Sequence, residues 1–266
     1  MSDWPNLIYR YDGSFDGLLC CVFESYAQKE TPAEIITPAA PVTLLPAKEI
    51  ATDRDRAKRV LASVPEKMGP EALDFVRQAF LTCLPQKEMY ILRFLQLGYR
   101  YGPAVLNRLA DASIQPLIKA VNHLKRESHL LKGFLRFSVF NGVLAAEMEP
   151  KNCVLPLLAE HFCTRYREER FLIMDRTHGL ALVYQPYRYD ILAVEELALP
   201  APDAAEQSCR ELWRTFYDAI EVPGRHNPRC RMSHMPQRYW KYMTELADAL
   251  PAQPDRSLTT TPEDFV

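Results

Sequence analysis

The sequence predicts an α+β fold: a helical N-terminal half, a mainly antiparallel five-stranded sheet in the second half, and C-terminal helices packed on that sheet. Three observations support it. From Asp53 to about Glu127 apolar residues recur at helical spacing. Asn141-Gly142 then separates two strand-like runs, a hairpin signature because both residues accept positive φ. Two amphipathic patterns close the chain after about residue 204.

In chain order, residues 7–11 form a short strand ended by the Asp12-Gly13 turn, and Ser14 caps a helix with Phe15, Leu18, Leu19, Val22, Phe23 and Tyr26 on one stripe. Pro32, Pro38, Pro41 and Pro46 restrict residues 31–50 to short edge strands without a helix. Three helical stripes follow: Leu73, Val76, Phe80 and Cys83; Ile91, Leu92, Leu95 and Tyr99; Ile114, Leu117, Ile118 and Val121. Pro70, Pro85, Pro103 and Pro116 stand at helix starts, where a missing N–H costs nothing. The hairpin at 135–140 and 143–148 leads to a helix at about 154–167. Strands at 171–175, 180–184 and 190–194 complete the sheet. A helix at about 205–221 is expected to bury Cys209, Leu212, Trp213, Phe216 and Ile220. A second, at 236–249, is expected to bury Tyr239, Met243, Leu246 and Leu250. Residues 222–235 between them read as a long loop.

Composition narrows the functional classes. The chain has 266 residues and a net charge of −2, with the hydrophobic and charged content of an ordinary globular protein. No apolar run has the length of a membrane span and no signal-peptide pattern opens the chain, so a cytoplasmic location without membrane contact is expected. Seven cysteines include no C-x-x-C pair, and Cys20, Cys83, Cys163 and Cys209 sit in apolar stretches as expected of reduced core thiols. Neither Cys20-Cys21 nor His161-Phe-Cys163 has zinc-site spacing, and phosphate loops and nucleophile elbows are missing. No cofactor or metal is therefore expected. Asp175-Arg-Thr-His-Gly179 suits a hairpin turn.

The charge distribution is informative. Between Glu221 and Glu245 there is no acidic residue, but there are Arg225, Arg229, Arg231, Arg238 and Lys241, interleaved with Tyr239, Trp240 and Tyr242. Such a cluster on an acidic background matches a polyanion carrying flat bases. Spacing assigns Trp240 to the apolar stripe, while Arg238, Lys241, Tyr242 and Glu245 fall on the opposite helical face, making Tyr242 the better stacker. A second basic segment contains Lys119, Lys125, Arg126, Lys132 and Arg136. Gly133 ends the helix there, and a break near Glu127 and His129 would allow them to converge as an acid/base pair. Cys230, between Arg229 and Arg231, reads as an incidental thiol.

Three motifs add a family resemblance: Tyr9-Arg-Tyr-Asp-Gly-Ser-Phe-Asp-Gly-Leu-Leu19, Glu127-Ser-His-Leu-Leu-Lys-Gly-Phe-Leu-Arg-Phe137, and Asn227-Pro-Arg with Met235-Pro-Gln-Arg-Tyr-Trp-Lys-Tyr-Met-Thr-Glu245. Over about residues 6–250 the chain resembles a bacterial DNA-metabolism or DNA-repair family of unknown function. That family is typically encoded beside a radical S-adenosylmethionine (radical SAM) protein, and related domains are fused to uracil-DNA-glycosylase-like domains. The resemblance implies a DNA-binding accessory protein in DNA repair or modification, with DNA, single-stranded or damaged, and a radical SAM protein as partners. Arg229, Arg231, Arg238 and Lys241 would take phosphates, Tyr242 would stack, and Lys132 and Arg136 would extend the groove. A self-contained catalytic motif is not evident. Two alternatives stay open: a stand-alone nuclease or base-processing hydrolase using His129, His226 or His234, and a protein adaptor without direct DNA contact. The expected organisation is an N-terminal region at 1–84 with a Pro-rich connector, an α+β domain at 85–250 carrying the basic segment, and a Pro-rich tail at 251–266.

Overall fold

The computed structural model describes residues 7–40, 44–108, 111–195 and 197–247. It divides into one unit of Met1–His129 with Pro150–Val154, and another of Leu130–Glu149 with Leu155–Val266. Leu250 and the expected tail lie outside the described residues.

In the first unit β1 (Ile8–Arg10) lies between β2 (Glu34–Ile36) and β3 (Ala47–Glu49), both parallel to it. The proline-rich stretch thus supplies edge strands, as expected. Their parallel sense follows from the helix between β1 and β2, because a crossover returns the chain in the same direction. That helix, α1 (Phe15–Gln28), is capped by Ser14, whose hydroxyl accepts from the Gly17 N–H at 2.9 Å. The following helices are α2 (Arg54–Met68), α3 (Pro70–Phe80), α4 (Lys87–Tyr101), a 3₁₀ turn at Gly102–Asn107, and α5 (Gln115–Phe134), whose residues from Leu130 on belong to the second unit. Leu18, Leu19, Val64, Val76, Leu92, Leu95 and Leu117 form the core of the first unit. Pro70, Pro103 and Pro116 fall in the first turns of their helices, while Pro85 precedes α4 in a turn.

Helix α5 continues through Gly133 to Phe134, so no break brings Glu127 and His129 together. Glu127 has another task. Its buried carboxylate accepts from the backbone N–H groups of Lys151 and Asn152 at 3.0 and 2.9 Å and from the Asn152 side chain at 2.6 Å. Asn152 in turn accepts from Cys83 N–H at 2.9 Å, and Cys153 N–H donates to the Leu81 carbonyl at 2.9 Å. This network anchors the 150–154 segment within the first unit.

The second unit holds the mixed sheet β4-β5-β6-β7-β8: β4 (Ser138–Phe140), β5 (Val143–Met148), β6 (Phe171–Asp175), β7 (Leu180–Gln185) and β8 (Arg188–Ala193). Three pairings are antiparallel. β5 and β6 are parallel, because α6 (Leu155–Arg165) lies between them as a crossover. The Asn141-Gly142 turn has φ of 51° and 77°, as its sequence demands. In the 175–179 turn the buried Asp175 carboxylate accepts from the Thr177 and His178 N–H groups and contacts His178 Nδ1 at 2.7 Å.

Several expectations require correction. Cys20 is buried, but Cys83 and Cys209 are exposed and Cys163 is half-buried. Residues 222–235 are not a loop: a 3₁₀ turn at Pro223–Arg225 precedes α8 (Pro228–His234). The Asn227-Pro228 pair signals this start, since the Asn side chain accepts from Cys230 N–H at 3.0 Å and proline occupies the first turn. The expected 236–249 helix is a 3₁₀ helix at Gln237–Tyr242 followed by turns, yet Tyr239, Met243 and Leu246 are buried. The largest correction concerns α7 (Ala204–Ala219). Its apolar stripe faces solvent, with Leu212 69 %, Trp213 39 % and Phe216 52 % exposed; Cys209 and Ile220 are exposed too.

Candidate nucleic-acid interface

Helix α7 faces the second unit with a polar stripe. Asp203 caps it by accepting from Glu206 N–H at 2.8 Å. Glu206, buried one turn in, accepts from Val139 N–H at 3.0 Å, so it satisfies a donor on the edge strand β4. Arg210 Nε bonds the same carboxylate at 2.9 Å and its Nη2 donates to Ser138 Oγ at 2.6 Å. Arg214 Nε donates to the Thr244 carbonyl at 3.0 Å. Burial alone would raise the Glu206 pKa, but the Val139 N–H and Arg210 outweigh it and hold the carboxyl below its usual range. The inward stripe can be polar because each of these groups finds a partner.

Glu245 joins three segments. Its side chain is 1 % exposed and receives Arg136 Nη2 at 2.7 Å and Nε at 3.3 Å, with Trp213 Nε1 at 2.9 Å. Desolvation opposes the charge, yet the Arg136 and Trp213 hydrogen bonds lower the Glu245 pKa. Arg136 Nη1 also donates to the Gly133 and Leu135 carbonyls, at 2.8 and 3.2 Å, and so caps the end of α5.

Two clefts meet along this seam, sharing Arg136, Arg210 and Thr244. The smaller, about 340 Å³, adds Arg214, Lys241 and Tyr242; the larger, about 690 Å³, adds Lys132, Arg165, Tyr166 and Trp213. Six cations line the pair against two carboxylates, Glu147 and Glu206. Both carboxylates already bind arginine, Glu147 receiving Arg176 Nε at 2.7 Å. Lys241 and the Tyr242 hydroxyl both reach Glu149 Oε1 at 2.6 Å. Burial and the Glu149 contact push the Tyr242 phenol up to about 12, while Lys241, hydrogen-bonded to Glu149, is also raised.

Four of the seven residues singled out from the sequence, Lys132, Arg136, Lys241 and Tyr242, therefore lie on the clefts. Arg229, Arg231 and Arg238 do not line them. Arg229 is exposed on α8. Arg231 stacks 5.5 Å from the Trp240 ring centroid, and Arg238 stacks 4.5 Å from that of Tyr239. Trp240 is a core residue, 4 % exposed, with Nε1 donating to the Met235 carbonyl at 2.9 Å. The 3₁₀ period aligns Tyr239 with Tyr242 and Arg238 with Lys241, replacing the face expected of an α-helix.

Sequence reasoning missed Arg165, Arg210 and Arg214. The signal was present on α7 as arginines four residues apart, but the apolar stripe suggested that they faced solvent. His226 contacts Glu221, and His234 contacts the Cys230 carbonyl at 3.1 Å and Ser233 Oγ at 3.0 Å. Among the described residues no three His, Cys, Asp or Glu side chains are grouped to hold a metal, and no helix is long and apolar enough to cross a membrane.

No curated protein matches the chain. A family model described as a domain of unknown function, DUF4130, matches residues 85–245. That span begins just before α4, includes the whole five-stranded sheet and α7, and ends at Glu245, the residue that joins Arg136 to Trp213. With more than half of its length matched, the chain belongs to the DUF4130 family.

Proposed function

We propose that the paired clefts bind nucleic acid and that the protein is a DNA-binding accessory factor in DNA repair or modification. The observation that carries this reading is the lining: six cations against two lining carboxylates and two more, Glu149 and Glu245, that reach Lys241 and Arg136 from beside it, in a protein whose net charge is −2. Concentrating cations in a concave surface attracts a polyanion against the overall charge and releases its counterions on binding. Lys132, Arg165 and Arg214 are the phosphate ligands in this scheme, whereas Arg210 and Lys241, paired with Glu206 and Glu149, add to the positive lining. Arg136, committed to Glu245 and two carbonyls, shapes the wall. The motifs resembling DNA-metabolism proteins agree with this assignment and add a radical SAM protein as the proposed partner, which would supply chemistry for which this chain shows no motif.

The test is titration of the isolated chain with labelled oligonucleotides at four salt concentrations. If Lys132, Arg165 and Arg214 each neutralise a phosphate, the log–log slope for a single strand is about −2. Binding that does not weaken with salt, or no binding at low salt, refutes the proposal.

A further inference from the structure

We propose that the outward face of α7 is a base-stacking ledge, so that the nucleic acid held in the clefts is a single strand with unpaired bases; this rests on the reading above. The helix is inverted, with Arg210 and Arg214 turned toward the unit and Leu212, Trp213 and Phe216 toward solvent. Exposing a contiguous apolar face of this kind marks a binding surface. The Trp213 and Phe216 ring centroids are 5.7 Å apart with planes tilted by 33°, so they form a continuous aromatic step. Trp213 also lines the larger cleft beside Lys132, Arg165 and Arg210, and the Arg136 guanidinium lies 5.8 Å from its ring centroid.

Charge decides what covers this face. An apolar protein helix would satisfy the rings but offer no anion to Lys132 and Arg165 unless it carried its own acids. Each nucleotide brings an anion and a flat apolar ring together, which matches cations and aromatic rings set side by side. In a duplex the base faces are already stacked on one another, so a ledge of this kind selects unpaired bases. Hydrogen bonding from Trp213 Nε1 to the buried Glu245 fixes the indole at the junction of ledge and cleft, ready to stack without first being ordered.

The experiment is a tryptophan-fluorescence titration of the full chain with an oligothymidylate of about 16 nucleotides, and with a duplex of the same length. Quenching by the single strand is expected, with loss of that quenching in Trp213→Phe. Phe216→Ala should weaken single-strand binding about tenfold, the value of one lost base–aromatic contact, and leave duplex binding unchanged. Salt-dependent binding that persists without quenching and is indifferent to Phe216→Ala overturns the ledge while the clefts stand. Absence of oligonucleotide binding at any salt overturns both. Concentration-dependent self-association that Phe216→Ala abolishes makes the face a protein-docking surface and also overturns the ledge.

Discussion

Replacing Glu245 with alanine removes the acceptor shared by Arg136 and Trp213. The carboxylate is 1 % exposed and the Arg136 side chain 25 %, so the pair is largely withdrawn from water. Breaking a buried pair by removing one partner costs about 3–5 kcal/mol, because the remaining charge is left uncompensated. Here the lower end, about 3 kcal/mol, is expected: Arg136 keeps its bonds to the Gly133 and Leu135 carbonyls and its remaining exposure allows some hydration. The assay is urea unfolding at pH 7 followed by tryptophan fluorescence. Two of the three tryptophans, Trp213 and Trp240, belong to the second unit, so most of the signal reports on the part of the chain being perturbed. Comparing Glu245→Ala, Arg136→Ala and the double variant isolates the pair, with an expected coupling of about 1.5–3 kcal/mol. A loss below about 0.5 kcal/mol with no coupling is the range of an ordinary surface site and would refute the reasoning.

Trp240→Ala should cost about 3–5 kcal/mol as a large buried aromatic, whereas Leu212→Ser should stay within about 0.5 kcal/mol, since that side chain faces solvent; reversed values in denaturant melts would show that α7 packs the other way round. Glu149, Glu206 and Glu245 have carboxyls held below their ordinary value of 4.5, so their stabilisation is present above that pH and disappears as pH falls through the lowered folded values. Acid unfolding of Glu245→Gln should accordingly lack part of that pH dependence, and an unchanged profile would count against it. At the alkaline end the raised Tyr242 phenol stabilises the fold fully below its ordinary value of 10, and this is lost as pH rises toward about 12; Tyr242→Phe should flatten that limb of the melt profile. In salt titrations with a single strand, Lys132→Ala with Arg214→Ala should make the slope shallower by about 1.4, whereas Arg229→Ala with Arg231→Ala, lining neither cleft, should leave it unchanged; the opposite pattern would move the site to α8.

Local chemistry made much of the fold legible in the sequence. Ser14 as a cap, Pro70 and Pro116 in first helical turns, and Asn141-Gly142 as a turn depend on residues only a few positions apart, and each takes its expected place. Trp240 was legible as core for the same reason, because its apolar neighbours lie nearby in the chain. Amphipathicity, in contrast, tells that a helix has an apolar face without telling which face the rest of the protein will meet. On α7 that choice was made by the bare N–H of Val139, the Ser138 hydroxyl and the Thr244 carbonyl, which engage Glu206, Arg210 and Arg214 and turn the aromatic stripe outward. Likewise, the parallel pairings of β1 and of β5 with β6 depend on where crossover helices return the chain. The sequence by itself determined the helical character of the N-terminal half, the hairpin and the presence of surplus cations near both Lys132 and Lys241, but not α8 or the 3₁₀ helix at Gln237–Tyr242. Only the tertiary structure gathered those cations with Arg165, Arg210 and Arg214, because Arg136 and Glu245 are 109 residues apart and meet through a hydrogen-bonded pair that no local periodicity records.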